Sequence, residues 1–225
     1  MATVDELVRQ LETGNPHERM LAAHALGDHH DPRAIDALIQ TLEDQSVGCA
    51  ARIQAARALA RIGDPKAIEP LIRTMEEICE RHLHHAVAEA LGAFHDPRVT
   101  NTLIKALGKD FFTAHAAAES LKKLRDPRAV EPLIRRLEDK QFGGYHRELP
   151  AQVLGVLGDP SAIPALVNAL RDDDEDVRKA ASESLRRFTL THPDAILRID
   201  PEDRNLLGRL IQEKERDEFT KSVCG

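Results

Sequence analysis

Apolar residues along this chain recur at steps of three and four, the spacing of a helix that buries one face. One stretch carries Ile68, Leu71, Ile72 and Met75 in that rhythm, and it predicts a helix, here termed A, with charged residues between the apolar positions. A second type of stretch reads Arg-x-x-Ala-x-x-Ala/Ser-Leu, as in Arg52 to Leu59 and Arg178 to Leu185. It predicts a helix B whose small side chains allow close approach of neighbours. The two types alternate. After the first, each A stretch is opened by an Asp-Pro pair, at Asp31, Asp64, Asp96, Asp126 and Asp159, so the pairs lie 33, 32, 30 and 33 residues apart. Asp suits the N-cap, and Pro suits the first turn, where its missing N–H costs nothing.

A period near thirty residues predicts stacked supersecondary units that bury a continuous core only together. The expected fold is all-α, a right-handed α-solenoid of about six helix pairs with a C-terminal capping helix. The pairs are predicted near 3–13 and 16–27, 32–43 and 49–62, 66–79 and 81–94, 97–108 and 110–124, 127–139 and 148–157, and 160–171 and 174–188. Residues 1–190 then form the solenoid. Residues 191–225 form a charged cap near 202–217 and a frayed tail from Thr220. Pro70, Pro132 and Pro164, close behind the Asp-Pro pairs, predict a kinked or tightly wound first turn in helix A. Gly27, Gly92 and Gly155, near the ends of B helices, are expected to be left-handed caps.

Composition narrows the function. Six Phe, one Tyr and no Trp among 225 residues leave a core of Ala, Leu, Ile and Val. The formal charge of −7 opposes a nucleic-acid partner, since phosphate binding depends on clustered Lys and Arg. Cys49, Cys79 and Cys224 are odd in number and form no Cys-x-x-Cys pair, which fits a reducing compartment. The opening Met1-Ala2-Thr3-Val4-Asp5-Glu6 has no apolar h-region, and no 18-residue apolar run occurs. A cytoplasmic protein without a membrane partner is expected.

The phrase formed by Ala-Leu-Gly, Asp-Pro-Arg-Ala-(Ile/Val), Leu-Ile and the B pattern resembles the HEAT-like repeats of the phycobilisome-lyase type over residues 1 to about 190. The resemblance implies B helices on the concave side. It also brings three functional expectations: a protein-interaction scaffold, a bilin lyase or chromophore-handling subunit, or a metal-binding protein distantly like the deoxyhypusine hydroxylases. The hydroxylases carry His-Glu dipeptides at the start of B helices. Here the matching positions are His85-Ala86 and His115-Ala116, so that activity is not expected. Nor does the chain carry a P-loop, nucleophile-elbow, Rossmann or His-Glu-x-x-His motif. The leading expectation is a non-catalytic scaffold holding a protein or peptide on its concave face, with no resident cofactor. Whether the chain catalyses a reaction stays open.

Candidate residues follow from aligning the B helices. One column holds Arg19, Arg52, His84, Ala114, Arg147 and Arg178. Its arginines either brace adjacent units or form an anion-binding ridge. Two further pairs, His85 with Glu89 and His115 with Glu119, sit at i, i+4 and lie 30 residues apart, one repeat. On packed neighbouring helices they could hold a divalent metal such as Zn²⁺, or stay as two separate surface pairs. In the bilin reading Arg52, His84, His85, Tyr145 and Arg147 would contact propionates and pyrrole nitrogens. Arg57 completes the candidate partner face. The segment Glu138 to Leu149 looks irregular because of Gly143-Gly144 and the lone Tyr145, and Pro150 predicts a late start or kink in its B helix. The run Asp172 to Asp176 is expected to be an A–B turn that caps the next helix.

Overall fold

The computed structural model describes residues 2–76 and 81–224, the last twelve of these for their backbone alone. The expected end of one A helix at 79, and Cys79, lie outside the described residues. The helices are α1 (Val4–Thr13), α2 (Pro16–His29), α3 (Ile35–Glu43), α4 (Cys49–Ile62), α5 (Ile68–Glu76), α6 (Arg81–Leu91), α7 (Pro97–Ala106), α8 (Phe111–Leu124), α9 (Val130–Glu138), α10 (Gly144–Leu157), α11 (Ile163–Ala169), α12 (Glu175–Thr191), α13 (Pro193–Leu197) and α14 (Pro201–Cys224). They form an all-α solenoid in which the odd-numbered helices α1 to α11 are A and the even-numbered α2 to α12 are B. Two compact units divide the chain, residues 1–124 and 125–225.

Every Asp-Pro pair caps as its chemistry dictates. The Asp carboxylate accepts a hydrogen bond from the amide two residues on, at 2.9 Å for Asp31, 2.8 Å for Asp64 and Asp96, 3.0 Å for Asp126 and 2.9 Å for Asp159. In four units the proline opens a single 3-10 turn, Pro32–Ala34, Pro65–Ala67, Pro127–Ala129 or Pro160–Ala162, before the α-helix begins. That tight turn also forms in the unit of Pro32, whose next residues are Ile35, Asp36 and Ala37. The second proline, expected to cause it, is therefore not its cause.

Within the first unit α2, α4, α6 and α8 pack on one another more extensively than α1, α3, α5 and α7 do, so the B layer is the inner side of its curvature. In the second unit α10 lies against α12 in the same way. The glycines explain the closeness. A Cβ on Gly27 would lie 2.9 Å from the Ala58 Cα, one on Gly92 2.5 Å from the Ser120 hydroxyl, and one on Gly155 2.3 Å from the Ser184 hydroxyl. Those serines donate across the contact, Ser120 to the Ala88 carbonyl at 2.9 Å and Ser184 to the Ala151 carbonyl at 2.8 Å. Gly27, Gly92 and Gly155 are thus contact residues and not the expected left-handed caps. The left-handed positions are taken by Gly63 and Gly158, at φ +74° and +73°, and by His30 and Arg125.

The fifth pair also departs from expectation. Helix α10 starts at Gly144, not near 148, and carries Pro150 buried in its interior. The preceding link is no insertion: Asp139 to Gly143 matches Asp44 to Gly48 residue for residue. Both links open on the same turn, with Ser46 donating its amide to Asp44 at 2.8 Å and Gln141 to Asp139 at 2.9 Å. Where the second pair buries Thr41 and Val47, the fifth stacks the Arg136 guanidinium 4.0 Å from the Phe142 ring centre.

At the C-terminal end α13 and α14 both rest on α12, and α14 runs on to Cys224, past the expected stop at 217. Pro193 falls 33 residues after Pro160, and Pro193-Asp194-Ala195-Ile196 repeats the pattern of Pro160-Ser161-Ala162-Ile163. Helix α13 is a truncated seventh A helix, with His192 in place of the capping Asp.

Candidate functional site

The aligned arginine column faces inward. Arg19 donates from Nε to the Gly14 carbonyl at 2.9 Å and from Nη2 to the Glu12 carbonyl at 2.8 Å, at the end of α1. Arg52 Nε reaches the Leu42 carbonyl in the last turn of α3 at 2.7 Å, and Arg178 Nη1 the Asp172 and Asp173 carbonyls beyond α11 at 2.7 and 3.0 Å. Arg147 donates from Nε to the Phe142 carbonyl at 2.9 Å and from Nη1 to the Asp172 carboxylate. Arg19 and Arg52 thus satisfy carbonyls at the close of the A helix in their own pair, where the helix dipole favours a cation, and Arg147 and Arg178 reach carbonyls of the link that follows it.

Arg52 and Arg147 are only 6% exposed and His84 only 7%. The bilin reading had set all three against a ligand. Their geometry is that of a joint within the repeat, because an Arg fork finds ready acceptors in the carbonyls that end helix A. His84 occupies the same slot in the third pair, its Nε2 3.4 Å from Lys109 Nζ, and Ala114 fills it in the fourth.

The exposed face of the B helices in the first unit carries a ladder of cross-helix polar contacts. Asp28 on α2 meets Arg61 on α4 at 2.8 Å, and His24 meets Gln54 at 3.3 Å. Arg57 on α4 lies 3.6 Å from Glu89 on α6, and His85 Nδ1 lies 3.1 Å from the Phe112 carbonyl on α8. The ladder ends at Phe111 and Phe112, two adjacent rings 58% and 56% exposed and set edge to face at 5.5 Å.

The four proposed metal ligands lie on this ridge without converging. His85 Nε2 sits 3.5 Å from its own Glu89, while the His115 ring stacks on Phe111 with centroids 6.4 Å apart. Glu119 accepts from Lys122 at 2.8 Å, a bond that holds its carboxyl below the usual carboxylate range. Among the described residues no group of three or more His, Cys, Asp or Glu side chains is disposed to hold a metal ion. The i, i+4 spacing places each pair on one helix face. Each of the four side chains has a partner outside the other pair: the Phe112 carbonyl for His85, Arg57 for Glu89, Phe111 for His115 and Lys122 for Glu119.

In the second unit the corresponding face pairs Gln152 with Glu148 at 2.6 Å on α10, and Lys179 with Glu175 and Arg186 with Glu183 on α12 at 2.6 and 2.8 Å. Tyr145 stands at the start of α10, its ring edge-on to His146.

Sequence reasoning missed a buried acid. Asp172 is 4% exposed and accepts from Arg147, from Lys140 and, at 3.0 Å, from the Asp174 amide. Burial opposes its ionisation, yet the Arg147 and Lys140 hydrogen bonds outweigh that penalty and bring its pKa down to about 2. Five acids in a row gave no hint of which one turns inward. A signal for α13 did exist, the 33-residue step to Pro193.

The described residues contain no helix long and apolar enough to cross a membrane. No curated protein matches the chain. Among solved structures, the complex of CpcE and CpcF of phycocyanin lyase from Nostoc sp. PCC7120 is 24% identical, covering 95% of this chain and 88% of that one, with a TM-score of 0.56. An engineered protein is 20% identical over 84% of this chain and 98% of its own, with a TM-score of 0.54. A designed armadillo repeat protein in complex with the peptide (KR)4 is 17% identical over 83% of this chain and all of its own, with a TM-score of 0.50. At these identities the likeness is one of fold. A family model for HEAT repeats matches residues 4–78, 48–111, 80–145 and 142–223, and with nearly the whole length so covered the chain belongs to the HEAT-repeat family.

Proposed function

We propose that the chain is a non-catalytic interaction scaffold that holds a protein or peptide along the exposed ridge of α2, α4, α6 and α8. The supporting observation is the end of that ridge. In a chain with 3% aromatic residues, Phe111 and Phe112 stand side by side and more than half exposed, beside a ladder of charged and amide groups. Exposed rings flanked by polar groups are the usual energetic centre of a protein interface, since an aromatic anchor buries a large apolar area at little entropic cost. The rigid joints formed by the buried arginines hold such a ridge in one shape before binding, which lowers the ordering cost of association.

Site-specific photo-crosslinking in the native host tests this reading. Crosslinkers at Gln54 and Phe112 should capture one partner, and crosslinkers at Asp36 and Glu131 on the A helices should not. Partner capture from the A-helix positions alone would overturn the assignment. A chromophore-handling role is separated by co-expression with a phycobiliprotein and bilin. Covalent bilin fluorescence that depends on this chain would displace the scaffold reading.

A further inference from the structure

A groove of about 390 Å³ runs beside α11 in the second unit, walled by Ile163, Pro164 and Val167 on one side and by Ala195 and Ile199 on the other. Its origin lies in the truncated seventh repeat. Helix α1 has α3 packed along it, α3 has α5 and α5 has α7, and in the second unit α9 has α11. Full A segments run from the proline at 32 or 127 through to Glu43 or Glu138. The seventh begins in register at Pro193 and stops at Leu197, after five residues. The chain then turns at Asp200 into α14, which rests on α12. The far half of the seventh A position is therefore unfilled along α11.

Two independent features, one on α11 and one on α13, fit an apolar occupant there. Four residues after the opening proline, the earlier units carry Asp36, Glu69, Asn101 and Glu131, and eight residues after it Gln40, Arg73, Lys105 and Arg135. These polar side chains serve the A layer: Lys66 lies 3.9 Å from Asp36, and Arg98 3.1 Å from Glu69. In α11 the same positions are Pro164 and Asn168, both exposed and uncharged. The second feature is Ala195. The matching alanines, Ala34, Ala67, Ala129 and Ala162, are at most 1% exposed, whereas Ala195 is only half-buried and lines the groove. At the rim Arg198 is exposed, with no acidic partner among the described residues, while Asp203 is held by Arg171 and Asp200 caps α14.

We propose that this groove receives a short amphipathic α-helix of a partner protein, which completes the seventh A position with apolar side chains against Pro164, Val167 and Ile199 and an acidic one at Arg198. Burial of an apolar stripe in a preformed trough is the familiar mode of helix-in-groove recognition. The occupant continues an interface that the chain already uses between its own A helices, and its carboxylate matches Arg198, which has no acidic partner among the described residues.

The probe is a hydrocarbon-stapled peptide copying Pro65–Glu76, an A helix of this same chain, titrated into the full-length protein with methyl-group NMR as readout. Shifts should concentrate on Ile163, Val167, Ala195 and Ile199. Affinity should fall at least tenfold in Pro164→Glu and in Asn168→Glu, two exposed positions whose change leaves the core untouched. Circular dichroism checks that each variant is folded, and either one alone suffices. Absence of shifts at millimolar peptide, shifts centred on the ridge of Phe111 and Phe112, or equal affinity in the variants would overturn the proposal. So would groove shifts with decanoate but none with the peptide, which would make it a small-molecule site, and so would self-association abolished by Pro164→Glu, which would make the occupant a second copy.

Discussion

Asp172 offers the sharpest test of the physical account. Its side chain is 2% exposed and is held by Arg147, itself 7% exposed, by Lys140 and by the Asp174 amide. The folded pKa of about 2 stands against 3.8 for an unperturbed Asp carboxyl. At about 1.36 kcal/mol per unit, the ionised form contributes roughly 2 kcal/mol to folding at neutral pH. The sign follows from the depressed value. The contribution is present in full above the unfolded pKa and is lost as pH falls from about 5 through 2. Asp172→Asn removes the charge at every pH and leaves Arg147 buried without its counter-ion, which adds to the loss near neutrality. Urea unfolding of both proteins, followed by circular dichroism from pH 2 to pH 7, should show the variant about 2 kcal/mol or more less stable at pH 7. The gap should narrow steadily below pH 5 and be nearly closed at pH 2. A gap that is constant with pH would show that the variant acts through packing alone. A loss under about 0.5 kcal/mol at pH 7 would show that the buried cluster contributes no more than a surface pair.

Leu59→Ala should cost about 2–5 kcal/mol in the same assay, because Leu59 is 1% exposed at the end of α4 and its removal leaves a cavity. Gly155→Ala should destabilise by about 1–3 kcal/mol, since the new methyl meets Ser184, whereas Ser184→Ala combined with it should recover part of the loss. Zn²⁺ should raise the melting temperature of the wild type no more than that of His115→Ala, since His115 stacks on Phe111 and Glu119 is held by Lys122; a rise that depends on His115 would refute the separate placement of the two pairs.

What could be read directly was whatever local chemistry decides. An Asp before a Pro has one low-energy use, and all five pairs adopt it. The three- and four-residue rhythm of Ile68, Leu71 and Met75 marks the buried side of α5, where Pro70 and Thr74 join them and Ile72 is half-buried. The arginine column was visible as a column because repeats align without any knowledge of space. Its acceptors were not, since a guanidinium can reach a ligand or a carbonyl from the same position on a helix.

The glycines mark the boundary most plainly. Gly27, Gly92 and Gly155 stand near B-helix ends, where a left-handed cap and a close helix contact are equally good local reasons for glycine. Only the approach of Ala58, Ser120 and Ser184 from neighbouring helices distinguishes the two. The same holds for His85 and His115, whose spacing was legible while their partners, the Phe112 carbonyl and Glu89 for the one and Phe111 for the other, depended on rotamers chosen in the packed state. By itself the sequence determined the repeat, its helices and their buried faces, because those rest on backbone hydrogen bonding and on periodicity within one segment. Tertiary structure decided which polar groups meet across segments, which of five acids is buried, and where the seventh A helix leaves a groove, because each depends on distances between residues that no local pattern encodes.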